Sequence, residues 1–408
     1  MKPLGPIPPY FEELHGELAI GGRTASALVK EAGDTPLFVY SRDAITRRMA
    51  ELRAAMPDRL RLHYAMKANP YRPLLEFMAD LVDGLDIASG GEFEQAREAG
   101  YLPREISFAG PGKREREVFA AVRAGVTLNL ESEGEAERAL EAGKTLGIAP
   151  RLAIRVNPSF ELRGSGMKMG GGAKPFGIDE DRVPVLARKL VDEGANWRGF
   201  HIYSGSQALD AEALIETQAN VLALAARLGK EAEVPVPHLN MGGGFGIPYF
   251  DRDSALDIAA IGRALQERFA DLPENLRETE FALELGRYLV GEAGVYLTRI
   301  VERKVSHGLT YLITDGGLHH QLAASGNFGT VVRRNYPVAI ATRFAEEPSE
   351  EVNIVGCLCT PLDRLADEAC VPQAEIGDLV AVFCAGAYGA SASPSAFLGQ
   401  GSAHEMLV

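Results

Sequence analysis

The stretch that decides the fold reads His63-Tyr-Ala-Met-Lys-Ala-Asn-Pro70. Arg61, His63 and Ala65 alternate with Leu62, Tyr64 and Met66, an irregular strand pattern. Lys67 stands at the end of the run and Asn69-Pro70 stops it, since proline cannot continue a hydrogen-bonded strand. A lysine at the C-terminal end of a strand, with small Ala68 beside it, suits an amine that must reach a carbonyl and form an imine. Alone, such a lysine reads as a solvated side chain. Its weight comes from the rest of the chain.

Outward from this stretch a rhythm extends from about residue 43. Amphipathic helical segments such as Asp43–Ala55 alternate with short apolar runs. The runs are Leu60–Met66, Gly84–Ala88, Ile106–Ala109, Thr127–Leu130, Leu152–Val156, Gly199–Tyr203, His238–Met241 and Phe281–Leu283. Alternation of β and α at this spacing means parallel strands, and eight of them close a barrel. The expected fold is α/β, a (β/α)8 barrel of the alanine-racemase-like kind over residues 43–287. A doubly wound open sheet is the competing reading. After Arg287 the segments become β-rich: Tyr288–Val301, Leu309–Asp315, Val338–Thr342, Val352–Val355 and Leu379–Phe383. Residues 288–408 therefore read as a C-terminal β domain. Residues 1–42, with the apolar run Leu37–Tyr40, read as a segment packing with it. Glu161–Lys174, loaded with Gly and Met, reads either as a plain loop or as a substrate lid.

Composition bounds the function. A chain of 408 residues with 46% apolar and 24% charged residues is globular and exceeds one ordinary core. A net charge of −14 argues against nucleic acid and anionic membranes as partners, but not against small anions held by local groups. No signal peptide or run of 18 apolar residues is visible, so a cytoplasmic protein is expected. The four cysteines, Cys357, Cys359, Cys370 and Cys384, match no common zinc spacing, so free thiols and no metal are expected.

Polar groups gather at the C-terminal ends of the runs, where a barrel builds its active site. They are Lys67, Asp86 with Ser89-Gly-Gly-Glu92 behind it, Arg155-Val-Asn-Pro158, His201 with Ser204-Gly-Ser206, Gly242-Gly-Gly-Phe-Gly246, and Glu284 with Gly286-Arg287. Each alone has a bland reading: Gly-rich turns serve tight packing, and a single histidine is usually a satisfied core residue. Together they are coherent. The turn through Gly243 and Gly244 offers bare backbone N–H groups for a phosphate, which barrels commonly bind after strands seven and eight, and Ser204 adds a hydroxyl. The pattern is neither a Walker loop nor a dinucleotide fingerprint. A phosphate anchor, an imine-forming lysine, a stacking ring (His201) and a carboxylate for a pyridinium nitrogen (Glu284) point to pyridoxal 5'-phosphate.

With these residues in view, the chain resembles the fold-type III pyridoxal-phosphate-dependent decarboxylases, the group of diaminopimelate and ornithine decarboxylases. The resemblance runs from Pro36 to Gly399. Its carriers are Tyr64–Asn69, Asp86–Glu92, Arg155–Pro158, Phe176-Gly177, His201–Ser206, Gly242–Phe245, Glu284–Arg287, Cys359–Asp363 and Gly386-Ala-Tyr388. It implies that Lys67 tethers the cofactor, that His201 stacks on the ring and that Glu284 meets the ring nitrogen. It implies further that Ser204, Gly243, Gly244, Gly286 and Arg287 hold phosphate, with Asp86 and Arg155 also at the cofactor. Cys359 and Tyr388 would enter the partner subunit's site of a homodimer. Loss of the α-carboxylate as CO2 would be followed by protonation of Cα by Cys359, with Tyr388 bordering the cofactor.

Departures from the family pattern bear on the substrate. Thr360 stands where an acid usually follows the cysteine, and Cys359-Thr-Pro-Leu-Asp363 replaces Cys-Glu-Ser-Gly-Asp. Leu285 replaces the usual proline. Arg333-Arg334-Asn-Tyr336 lies where diaminopimelate enzymes bind a distal carboxylate. Arg287, Arg333, Arg334, Tyr336, Cys359, Thr360, Asp363 and Tyr388 form the expected substrate set. The cysteine motif is similar to that of a subgroup associated with carrier-protein ligases, including exosortase-linked and butirosin-type glutamyl-carrier-protein decarboxylases. The expected substrate is an amino acid or an amino-acyl carrier protein, with diaminopimelate decarboxylation to L-lysine as the alternative. A racemase of the same architecture would place Arg where Glu284 stands. A barrel-only cofactor carrier would lack the β domain, and an inactive homologue would have lost Lys67 or Cys359.

Overall fold

Eight short buried strands pair edge to edge into a ring in the computed structural model, which describes residues 1–408 apart from Ser165, Met169 and residues 327–332, with Met167 and Lys168 described by backbone alone. In chain order they are Leu60–Ala65, Gly84–Ile87, Ile106–Phe108, Thr127–Leu130, Arg151–Asn157, Asn196–Ile202, His238–Asn240 and Glu280–Leu285. Every neighbouring pair is parallel, and the eighth strand closes on the first with Glu284 opposite His63 and Leu285 opposite Tyr64. The open-sheet alternative is thereby excluded. Gly84–Ile87 is buried along its whole length, the pattern of strands covered on both faces. Fully buried Leu62, Leu85 and Phe281 each contribute roughly 1.5–3 kcal/mol by leaving water.

Several helices between the strands start on side-chain caps. Ser89 Oγ accepts from Glu92 N at 3.1 Å to open Gly90–Glu98, and Ser132 Oγ accepts from Glu135 N at 3.2 Å to open Glu133–Leu146. The Ser89–Glu92 motif behind Asp86 is thus a helix start, with Glu92 reaching back to Ala88 N at 2.6 Å.

The chain forms two compact units: Met1–Arg48, Ile247–Ala255 and Arg287–Val408 in one, Met49–Gly246 and Leu256–Gly286 in the other. The first unit is built on the long strand Gly294–Ser306. This strand pairs antiparallel with Leu37–Tyr40, Leu309–Thr314 and Leu379–Val382. Leu18, Ile20, Leu28, Val29, Leu37, Val39, Val295, Leu297 and Phe383 share its core.

Four features differ from the sequence expectations. Tyr288 does not begin a strand: Arg287–Val290 is a helical turn and the strand starts at Gly294. A short apolar run has no period that separates strand from buried helix. Arg364–Val371 is a strand whose Arg364, Asp367 and Glu368 hide the alternation. His404–Leu407 is a strand only because it lies parallel to Leu37–Tyr40. The Pro-rich start also folds, into strands Glu12–Leu14, Glu17–Ile20 and Arg23–Thr24 and the helix Ala25–Ala32.

Candidate active site

Lys67 owes its exposure to the way the first barrel strand ends. After Ala65 the backbone takes one tight turn, Met66–Ala68, in which Met66 and Ala68 are buried and Lys67 projects. Tyr64 Oη donates to Asn69 O at 2.9 Å and Asn69 Oδ1 accepts from Tyr71 N at 3.0 Å, pinning the turn from both sides. Gly286, at the end of strand eight, makes room for it: a Cβ there would meet Ala68 Cβ at 2.8 Å and Ala65 O at 3.1 Å.

Lys67 Nζ lies 3.7 Å from Glu284 Oε1, and the other oxygen of Glu284 lies 3.0 Å from His201 Nε2. Glu284 and His201 are buried, while the Lys67 side chain is 43% exposed. Burial alone would push the Glu284 carboxyl up. The His201 hydrogen bond and the Lys67 charge more than offset this and hold it well below the usual carboxylate range, so it is ionised at neutral pH. Lys67 Nζ also sits 5.4 Å above the Tyr203 ring.

The turn after strand seven is locked beside Glu284. Gly242 N donates to Asn240 Oδ1 at 2.9 Å, and Glu284 N donates to Gly242 O at 2.8 Å. A Cβ on Gly243 would meet Glu284 O at 1.9 Å, and Gly244 has φ +93°, so both positions require glycine. Ser204 Oγ is buried with no hydrogen-bond partner among the described residues. The Gly- and Met-rich stretch runs beside this segment, with Met167–Lys168 pairing antiparallel with Gly205–Ser206. Ser165 and Met169 of that stretch lie outside the described residues.

Asp86 on strand two faces His63, with Oδ2 3.3 Å from Nδ1. Burial opposes charge on His63, but Asp86 and then Glu284 raise its proton affinity above the ordinary value. Arg155 on strand five pairs with His201 in register and donates to Glu131 Oε1 at 2.7 Å. Glu131 also accepts from Gly110 N at 2.6 Å and Gly177 N at 2.7 Å. Burial opposes ionisation of Glu131, yet Arg155 and the Gly177 N–H hold its carboxyl below the ordinary value. His63 and Glu131 are absent from the sequence-derived set. Glu131 follows strand four directly, so the strand-end rule would have found it; His63 faces a partner that only strand pairing supplies.

The remaining expected residues lie in the first unit. Arg287 stacks on Tyr249 and Tyr388, its guanidinium carbon 5.4 and 4.9 Å from the ring centroids, and Nη1 donates to Tyr249 Oη at 2.8 Å. Tyr388, expected to enter the partner's site, therefore stands against Arg287 of its own chain. Tyr249 gave no sequence signal. Burial raises the Tyr249 phenol to about 12, despite Arg287. Tyr336 is buried against the Tyr249 ring at 4.8 Å. Arg333 is committed to Asp367 Oδ2 at 3.0 Å and Arg364 O at 2.7 Å. Arg334 lies 3.8 Å from the Phe250 ring centroid and 3.9 Å from Asp253. Asp363, expected among the substrate contacts, is buried and accepts from Leu318 N at 2.7 Å and Leu358 N at 2.8 Å. These bonds tie its loop to the backbone at Leu318. Cys359 is exposed and Thr360 partly buried on that loop. A cavity of about 490 Å³ adjoins it, lined by Lys304, Ser306, Tyr311, Leu358, Thr360 and Arg364.

The family described as pyridoxal-dependent decarboxylase, pyridoxal binding domain, matches residues 42–291. Among characterised proteins, the L-glutamyl-(BtrI acyl-carrier protein) decarboxylase of Niallia circulans is 35% identical over 382 residues, 92% of this chain and 89% of that protein. The diaminopimelate decarboxylase of Aquifex aeolicus is 33% identical over 386 residues, 93% of this chain and 88% of its own length. Among solved structures, diaminopimelate decarboxylase from M. jannaschii in complex with L-lysine superposes with a TM-score of 0.86. Its identity is 25%, with 98% of this chain and 93% of that chain covered.

Proposed function

This chain belongs to the pyridoxal-dependent decarboxylases, and on that premise we propose that its substrate is an amino-acyl group carried on an acyl carrier protein. It is a pyridoxal-phosphate-dependent carboxy-lyase acting on an amino-acid substrate. The barrel residues fit the cofactor: an unpartnered buried hydroxyl at Ser204, a glycine turn with no room for Cβ, and an ionised buried carboxylate at Glu284. In this reading Ser204 and the Gly243 and Gly244 N–H groups would hold the cofactor's phosphate, His201 and Glu284 would hold its ring, and Lys67 would hold it covalently. When bound, pyridoxal phosphate supplies an electron sink for the pair left by CO2.

The chain's own residues do the rest. Glu284, unable to take up a proton at neutral pH, keeps a positive charge at the atom it faces. The Lys67 side chain remains partly exposed, so a substrate amine can reach it. Cys359 Sγ, contributed by the partner subunit of a homodimer, delivers a proton to Cα after CO2 departs. Two equal composite sites follow from a two-fold pair.

One observation carries the choice of substrate: neither end-group reader is available for a free diamino acid. Thr360 offers a distal ammonium no charge, and an unpaired buried ammonium costs several kcal/mol. Arg333 is already occupied by Asp367 and Arg364 O. An amino-acyl thioester needs neither reader, and the cavity beside Thr360 has room for an extended arm. The 35% identical relative is named for such a substrate. Diaminopimelate is the second reading, favoured by the 33% identical relative and by the position of Arg334. CO2 release from free amino acids, meso-diaminopimelate, ornithine and a glutamyl carrier-protein conjugate joined through its side-chain carboxyl, with the α-carboxylate free, decides between them. A conjugate should be preferred. A specificity constant for free meso-diaminopimelate above about 10⁴ M⁻¹s⁻¹ would overturn the proposal.

A further inference from the structure

The opposite end of the barrel holds a second cluster of charge that decarboxylation does not use. A cavity of about 290 Å³ is lined by residues at the N-terminal ends of the strands, among them Arg61, Arg104, Arg151 and Arg198. Three acids also line it, but they leave the arginines under-compensated. Asp83 is taken by Arg53 at 2.8 Å and by Leu62 N at 2.7 Å. Glu105 lies 4.0 Å from Arg104 and accepts from Leu102 N at 3.2 Å. Glu280 is shared by Arg61 at 3.3 Å and Arg198 at 3.9 Å.

Arg151 is the unbalanced member. Its guanidinium donates Nε to Thr127 Oγ1 at 3.2 Å and makes no ion pair among the described residues. It is half-buried, the neighbouring Arg198 repels it, and Glu280 attracts it only from beyond ion-pair distance. Two guanidinium groups lining one cavity supply the kind of fork donors that recognise phosphate and carboxylate. The lining also includes His63, whose other neighbour is Asp86 at 3.3 Å, so an occupant would stand one side chain from the catalytic end.

We propose that this N-terminal cavity binds a small multivalent oxyanion, of the phosphate or polycarboxylate class, held chiefly by Arg151 and Arg198. The site is separate from the cofactor's phosphate cradle, which lies at the C-terminal ends of the same strands. The test is calorimetric titration of the cofactor-loaded enzyme with inorganic phosphate and with citrate, at constant ionic strength set by chloride. Loading the cofactor first fills the other anion cradle. One saturable event per chain is expected for at least one of the two probes. Arg151→Gln and, separately, Arg198→Gln should each weaken it at least tenfold, the loss of roughly one charge-assisted contact. The two single variants guard against one failing to fold. No saturable binding of either probe would overturn the proposal. So would binding that survives unchanged in whichever variant folds.

Discussion

At the scale of single residues, the proposed chemistry concentrates on Glu284 and two neighbours, Lys67 at 3.7 Å and His201 at 3.0 Å. If Lys67 tethers the cofactor, borohydride should fix the cofactor irreversibly to the peptide containing Lys67, as read by mass spectrometry. Labelling of another lysine would sink the assignment of the whole site. Glu284 is ionised because His201 and Lys67 outweigh its burial. Glu284→Gln removes the charge but keeps the shape. Turnover should fall by a factor on the order of 10² or more, since electrostatic stabilisation of developing charge carries terms of that size. Cofactor affinity should fall much less, because phosphate contacts dominate it. An unchanged kcat would refute the role. These three residues were legible in the sequence, since each ends or nearly ends an apolar run in a β/α rhythm. Glu131 and Tyr249 were not read from it. Glu131 could have been, since it directly follows a strand end; Tyr249 owes its place to Arg287, which is remote in the chain and becomes a neighbour only on folding.

At the scale of elements, the glycine turn after strand seven, the proposed phosphate cradle, is packed against the Glu284 strand. Gly243→Ala would drive a methyl group onto Glu284 O, 1.9 Å from the ideal Cβ position, and the turn or the strand must move. Overpacking of this kind costs about 1–3 kcal/mol. Cofactor affinity, measured by equilibrium dialysis, should fall at least tenfold. Gly112→Ala, where nothing lies within 4 Å of the added Cβ, should leave it within about twofold. Equal behaviour of the two variants would remove the turn from the cofactor site. Strands with an apolar run, such as Gly84–Ile87, announced themselves. Arg364–Val371 and His404–Leu407 did not, because an edge or half-polar strand is defined by the neighbour that completes its hydrogen bonds.

At the scale of the whole molecule, the question is whether one chain makes one site. If Cys359 serves the partner's barrel, Lys67→Ala and Cys359→Ala should each be severely impaired yet complement when mixed. With free subunit exchange half of the dimers are hybrids, each with one intact site of two. Recovery of roughly a quarter of wild-type activity then follows from the two-fold statistics. No recovery under verified exchange would mean that both residues act within one chain. The sequence by itself determined the alternation of eight strands with helices, and with it the barrel and the end of the barrel where polar residues collect. Periodicity and turn chemistry are local properties, written over windows of ten to fifteen residues. The tertiary structure alone decided which charges neutralise one another. It bound Arg333 to Asp367 and Asp363 to the Leu318 backbone, set Tyr388 against Arg287, and left Arg151 beside Arg198 with no carboxylate in ion-pair distance among the described residues. Ion pairing depends on distances across strands far apart in the chain, and no local pattern encodes them.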